Sequence, residues 1–256
     1  MTKQIPNLFT LLNLVFGCMA IVFIMQTQSF AITQDGEIRS MSIPENIALG
    51  SICIFIAAII DFLDGFVARL MRATSAMGKQ LDSLSDVVSF GVAPALILYQ
   101  LLRISYLANN DSIETNIWVL APAFIFACAG AYRLARFNID ESQATGFKGV
   151  PIPAAGLIVA SLPLISRADY FDGGINNILS QKWFLYGLIV LLSWLMVSRL
   201  PLMALKFKDF TIKNNIPKII LLAIAIAAAF LLGWLAVPTV FLLYIILSLT
   251  FKQKES

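Results

Sequence analysis

Histidine is missing from all 256 residues of the chain. Its absence removes the commonest general base and a common neutral metal ligand, so proton transfer falls to a carboxylate, a lysine, a tyrosine or the substrate itself. Cysteine is scarce as well. Cys18, Cys53 and Cys128 all lie within apolar runs, which leaves no disulfide framework and no Cys-x2-Cys zinc site, and we read them as packing residues. Charge is the third shortage. Asp, Glu, Lys and Arg make up 13% of the chain against 59% for apolar residues, a balance that a soluble domain cannot solvate and a polytopic membrane protein requires. Nothing in the placement of the charges suggests a nucleic-acid surface.

What is present is a series of apolar runs long enough to cross a bilayer, at 6–26, 45–70, 78–102, 116–138, 152–168, 182–200, 216–233 and 235–251. The expected fold is all-α and polytopic, a single membrane-embedded domain over 1–256 with about eight transmembrane helices. The first run is longer than a signal-peptide core and lacks a small-residue cleavage site followed by soluble sequence, so it is expected to stay as a span. With the N-terminus inside, only Arg39, Arg103, Arg167 and Lys182 of the 18 basic residues fall on the outer side, among Asp35, Glu37, Glu45, Asp111, Glu114, Asp169 and Asp172. Both termini are therefore expected in the cytoplasm, with the protein in the cell (inner) membrane.

Four carboxylates interrupt this apolar pattern within one stretch. It reads Asp61-Phe-Leu-Asp64-Gly65-Phe-Val-Ala68-Arg69, then eight residues, then Gly78-Lys-Gln-Leu-Asp82-Ser-Leu-Ser-Asp86. Each carboxylate costs about 2.5–3.5 kcal/mol at the centre of a membrane helix, so the group needs partners. The nearby cations, Arg69, Arg72 and Lys79, fall in the connecting turn. A cation from solution is the better partner. Helical spacing sets Asp61, Asp64, Gly65 and Ala68 on one face and Gly78, Asp82 and Asp86 on one face of the next helix. Hard oxygen ligands without Cys or His suit Mg²⁺ or Mn²⁺ rather than zinc. At about 1.5 Å per residue, Asp61 and Asp86 sit about 12 Å below the cytoplasmic boundary, so the site is expected in a cavity of the helix bundle open to the cytoplasm.

The pattern Asp-x2-Asp-Gly-x2-Ala-Arg-x8-Gly-x3-Asp-x3-Asp is met at every fixed position from Asp61 to Asp86 and resembles the signature of the CDP-alcohol phosphotransferase family. The flanks add to the likeness: Pro-Asn-x2-Thr-x2-Asn at the start, Ser89-Phe-Gly-Val-Ala-Pro94-Ala, Arg133-Leu-Ala-Arg136-Phe-Asn138, and Lys148-Gly-Val-Pro-Ile-Pro-Ala-Ala-Gly156. Together they are similar to the integral-membrane phosphatidylserine synthase branch of that family, over about residues 5–160. The last three spans carry no motif of this kind.

The resemblance implies transfer of a phosphatidyl group from CDP-diacylglycerol to the hydroxyl of L-serine, releasing CMP, with Mg²⁺ or Mn²⁺ as a pair of ions. It carries Asp61, Asp64 and Asp82 over as metal ligands, and Asp86 as catalytic base and a further ligand. Gly65, Ala68, Arg69 and Gly78 become the nucleotide side of the site, and a homodimer is implied. Asn7, Thr10 and Asn13, spaced to share a stripe on the first helix, are expected to line the nucleotide pocket, although interhelical hydrogen bonding explains such a stripe equally well. Arg133, Arg136 and Lys148 are the cations available for an acceptor carboxylate or phosphate, or as interface anchors. Glycerol 3-phosphate or inositol phosphate stays open as the acceptor. A cation transporter is the rival outside enzymology. An ion pathway has to cross the bilayer, however, and the outer halves of the spans hold no acidic residue away from the loop ends, nor are inverted repeats visible.

Overall fold

The computed structural model describes residues 5–34, 37–70, 75–108, 116–139, 147–168, 170, 174–202 and 212–250. Helix α1 (Ile5–Met25) leads through a hairpin of strands β1 (Thr27–Gln34) and β2 (Glu37–Pro44) into α2 (Ile47–Leu70). There follow α3 (Ala76–Asp86), a π-helical turn (Val87–Val92) and α4 (Ala93–Ala108). Then come α5 (Ile117–Leu120), α6 (Ala123–Ile139), β3 (Phe147–Lys148), α7 (Ile152–Ala168), α8 (Gly174–Leu179), α9 (Lys182–Val197) and β4 (Pro201–Leu202). Helices α10 (Ile212–Leu232) and α11 (Ala236–Thr250) complete the described chain.

The fold is all-α apart from short two-stranded pairings. Among the described residues, four helical stretches are long and apolar enough to cross a membrane: Pro6–Met25, Ile47–Val67, Ala76–Leu107 and Ile220–Thr250. Ile152–Ala168 and Lys182–Val197 are shorter apolar helices. The run expected at 116–138 is divided, because Pro122 brings no N–H to a helical ladder and a turn at Ala121 and Pro122 separates α5 from α6. The final stretch is divided too. Gly233 adopts φ 54°, a left-handed conformation that ends α10, and α10 and α11 pack on each other beyond it.

The β1–β2 hairpin was not foreseen in the apolar pattern. Its strands pair antiparallel from Thr27 opposite Pro44 to Gln34 opposite Glu37. The chain closes the base of this hairpin with Glu45 N donating to Gln26 O at 3.1 Å and Asn46 Nδ2 donating to Gln26 Oε1 at 2.9 Å.

The core lies where α4, α6 and α7 meet, around the fully buried Phe90, Phe126, Ile97, Leu98 and Ile152. The π turn sits inside it. Pro94 has no N–H for the Phe90 carbonyl, and just before it the ladder slips, with Ala93 N bonded to Val88 O. A Cβ added to Gly156 of α7 would come within 2.8 Å of Phe90 O, so only glycine admits α7 this close to the turn. This packing fixes the helix that carries Asp86. The cysteines are free, Cys53 buried and Cys18 and Cys128 exposed.

Candidate active site

The acidic stretch is divided between two helices, and α1 packs against both. Asp61 and Asp64 stand near the end of α2, whereas Asp82 and Asp86 stand on α3, whose N-terminus is capped by Ser75 accepting from Gly78 N at 3.0 Å. One carboxylate oxygen each from Asp61, Asp82 and Asp86 lies within 4.8 Å of the others. Asp61 and Asp82 are within hydrogen-bonding reach of each other. Carboxylates this close repel unless a proton or a cation stands between them, so the cluster fits a divalent ion with oxygen ligands.

Asp64 is placed differently from the other three. It is buried and accepts a hydrogen bond from the Thr10 hydroxyl of α1. The Thr10 carbonyl in turn accepts from Ser85 Oγ of α3 at 2.7 Å, and Ser89 Oγ donates to Asn13 O at 3.1 Å. Helix α1 therefore bolts α2 to α3 through one polar stripe. Asn7 Oδ1 lies 3.1 Å from where a Cβ on Gly78 would sit, and Asn13 lies against Asp86. All three polar residues expected on α1 thus face the acidic stretch.

Gly65 borders open space: among the described residues, no atom stands within 4 Å of the position a Cβ would take. Gly78 is the opposite case, hemmed by Asn7 and Ser75. Ala68 and Arg69 lie in α2 and Lys148 lies in β3, but their side chains fall outside the described residues.

The two arginines of α6 part company. Arg133 is only 7% exposed, and its charge is felt by Asp86 and by Tyr244 of α11. Its guanidinium stands 5.9 Å from the Phe137 ring centroid, and its Nε finds no hydrogen-bond partner among the described residues. Asp86 Oδ1 is likewise buried without one. A buried cation and a buried carboxylate with spare hydrogen-bonding capacity could each take a further polar partner. Arg136 instead donates to Val197 O at 3.1 Å, which caps the end of α9.

A second clasp closes the same end of α6. Asn138 Nδ2 donates to Ser83 Oγ at 2.8 Å, Ser83 Oγ donates to Lys79 O at 3.1 Å, and Lys79 Nζ reaches Asn138 O at 3.5 Å. Sequence reasoning assigned no role to Ser83 or Ser85, and took Ser89 only as part of a flanking motif. Their signal was the spacing of short hydroxyls beside Asp82 and Asp86, on the faces that α1 and α6 cover. Tyr244 and Ser248, both buried, were missed because they stand in an apolar helix without a motif.

A helical membrane protein with an oxygen-rich acidic cluster in its helix bundle narrows the choice of class, and comparison with known proteins decides it. The profile of the CDP-alcohol phosphatidyltransferase family matches residues 3–198, and the chain belongs to that family. Among curated relatives, a CDP-diacylglycerol–serine O-phosphatidyltransferase of Helicobacter pylori is 36% identical over 228 residues, 88% of this chain and 81% of the relative. A protein of the same name from Mycobacterium bovis is 30% identical over 249 residues, 94% of this chain and 75% of its own length. Another, from Methanocaldococcus jannaschii, is 48% identical over 106 residues, 41% of this chain and 46% of the relative.

Proposed function

We propose that the protein transfers the phosphatidyl group of CDP-diacylglycerol to L-serine, giving phosphatidylserine and CMP. The observation that carries this reading is the pairing of the Asp61, Asp82 and Asp86 cluster with a buried Arg133 across Asp86. A donor diphosphate needs the first, and an acceptor bearing a carboxylate needs the second.

The oxygen donors of Asp61, Asp82 and Asp86, with Asp64 beside them, would hold Mg²⁺ or Mn²⁺. When bound, the metal neutralises the diphosphate and stabilises the departing CMP. Asp86 takes the proton of the serine hydroxyl. The freed oxygen forms a bond to the phosphatidyl phosphorus, and the bond between that phosphorus and the bridging oxygen breaks, leaving CMP with the electron pair. Arg133 receives the serine carboxylate and so aims its hydroxyl at Asp86. The open space at Gly65 admits the nucleotide, and Thr10 holds Asp64.

Eight spans, cytoplasmic termini and a cytoplasm-facing site belong to this reading, supported by the distribution of Lys and Arg. The homodimer belongs to it as well. A detergent-corrected mass of one chain would remove the dimer alone.

The function is tested with purified protein, CDP-diacylglycerol and a panel of alcohols, following CMP release. Serine-dependent release is expected. Release with glycerol 3-phosphate and none with serine would refute the acceptor assignment and leave the phosphatidyl transfer standing.

A further inference from the structure

Helix α3 carries Asp82 and Asp86 one turn apart, and the two are held by different means. Asp86 is buried, Ser85 beside it donates to Thr10 O at 2.7 Å, and the π turn that follows packs against α1, α6 and α7. From Ala76 to Leu84, by contrast, every residue of α3 is half-buried or exposed, so packing inside the protein fixes Asp82 less firmly than Asp86. Polar contacts take over at that level. Ser83, the residue after Asp82, donates through Oγ to Lys79 O at 3.1 Å, the back-bond that a helical serine commonly makes. The same oxygen accepts from Asn138 Nδ2 at 2.8 Å, a contact that comes from α6 and that helix formation does not require. Lys79 Nζ stands 3.5 Å from Asn138 O, one of the last carbonyls of α6, which helix geometry leaves without a partner of their own. The clasp therefore ties α3, at the level of Asp82, to the helix that carries Arg133.

We propose that Asn138 and Ser83 are positioning residues for the metal: their hydrogen bond holds the N-terminal half of α3 so that the Asp82 carboxylate closes on Asp61 and Asp86, with one oxygen of each within 4.8 Å of the others. Ser83 acts on Asp82 through the backbone the two share, and Asn138 acts through Ser83. Groups that orient a metal ligand in this way govern affinity for the ion without touching it. Asp86 keeps its own anchors in Ser85 and the π turn, so loss of the clasp falls on metal binding and spares the proton transfer. The proposal rests on the reading of the Asp61, Asp82 and Asp86 cluster as a divalent-cation site.

The test is Ser83→Ala and Asn138→Ala, singly and together, in the whole chain in detergent, with Mn²⁺ binding followed by the loss of the free-ion EPR signal and with no substrate present. Each single change is expected to raise the Mn²⁺ Kd about three- to tenfold, the order of one lost hydrogen bond. The double variant is expected to exceed either single variant by less than about twofold, because the two changes remove the same contact. Ser83→Thr, which keeps the hydroxyl, is expected to bind Mn²⁺ as wild type does. At saturating Mn²⁺ the kcat of CMP release is expected to stay near wild type in every variant. A Kd within the error of wild type in both single variants, or full additivity in the double variant, would overturn the proposal. A lower midpoint of thermal unfolding with the Kd unchanged would make the clasp a contact of the fold alone and also overturn it. Wild-type protein that binds no Mn²⁺ overturns the reading of the cluster together with the proposal, and that result is seen before any variant is made.

Discussion

Replacing Arg133 by Lys separates the two arginines that the sequence presents as equivalent. Arg133 is 7% exposed and faces Asp86, so its charge is already desolvated and its hydrogen bonds are worth more than those of a surface cation. Lys keeps the charge and removes the fork, so an acceptor carboxylate loses one charge-assisted hydrogen bond of about 1.5–3 kcal/mol. At about 1.4 kcal/mol per factor of ten, the serine KM rises at least on the order of tenfold. The donor KM stays near wild type. Arg136→Lys is the internal comparison, because Arg136 donates to Val197 O at the end of α9. It is expected to cost about 1 kcal/mol of stability and to leave the ratio of the two KM values unchanged. Steady-state kinetics with serine and CDP-diacylglycerol varied in turn measure both. The reasoning fails if Arg133→Lys raises the donor KM as much as the serine KM, or if Arg136→Lys reproduces the serine effect.

Three further outcomes follow from the same geometry. Protein stripped of divalent cations is expected to lose turnover and to regain it with Mg²⁺ or Mn²⁺, whereas full activity in demonstrably metal-free protein would remove the ion from the Asp61, Asp82 and Asp86 cluster. Thr10→Val leaves the buried Asp64 without its hydroxyl donor and is expected to destabilise the protein by about 1–3 kcal/mol, read as a lower midpoint of thermal unfolding in detergent. Gly156→Ala forces a methyl to within 2.8 Å of Phe90 O and is expected to cost about 1–3 kcal/mol through displacement of α7 from the π turn, with an unchanged melting curve as the contrary result.

Much of this architecture is legible in the residues. Apolar run length announces the helices, because each must satisfy its own backbone in lipid, and the acidic spacing places Asp61 with Asp64 and Asp82 with Asp86 on their respective helices. Spacing also put Asn7, Thr10 and Asn13 on one stripe of α1. What spacing cannot supply is the third dimension. It does not reveal that Thr10 turns to Asp64 while Ser85 and Ser89 grip the α1 backbone, since those contacts depend on how close α1 comes to α3. Nor does it separate Arg133 from Arg136: the two are one turn apart, and only the position of α9 decides that Arg136 is drawn to Val197. Tyr244 is silent for the same reason, as the Arg133 whose charge it feels stands on an element more than 100 residues earlier. The hairpin at 27–44 escaped because a polar segment between two spans reads as a loop, and strand pairing is a relation between two segments.

The assignment of Asp86 as the base is the claim on which the mechanism turns, and one paired measurement addresses it. Asp86→Asn keeps the size of the side chain and removes its basicity, so donor affinity and serine-dependent CMP release are measured on the same purified variant. Asp61→Asn, which thins the cluster on the other helix, serves as the reference and is expected to weaken donor and metal binding. The account predicts that Asp86→Asn binds CDP-diacylglycerol within a fewfold of wild type and releases CMP at least about 100-fold more slowly, the lower range for loss of a general base. Near-normal turnover in Asp86→Asn would contradict it.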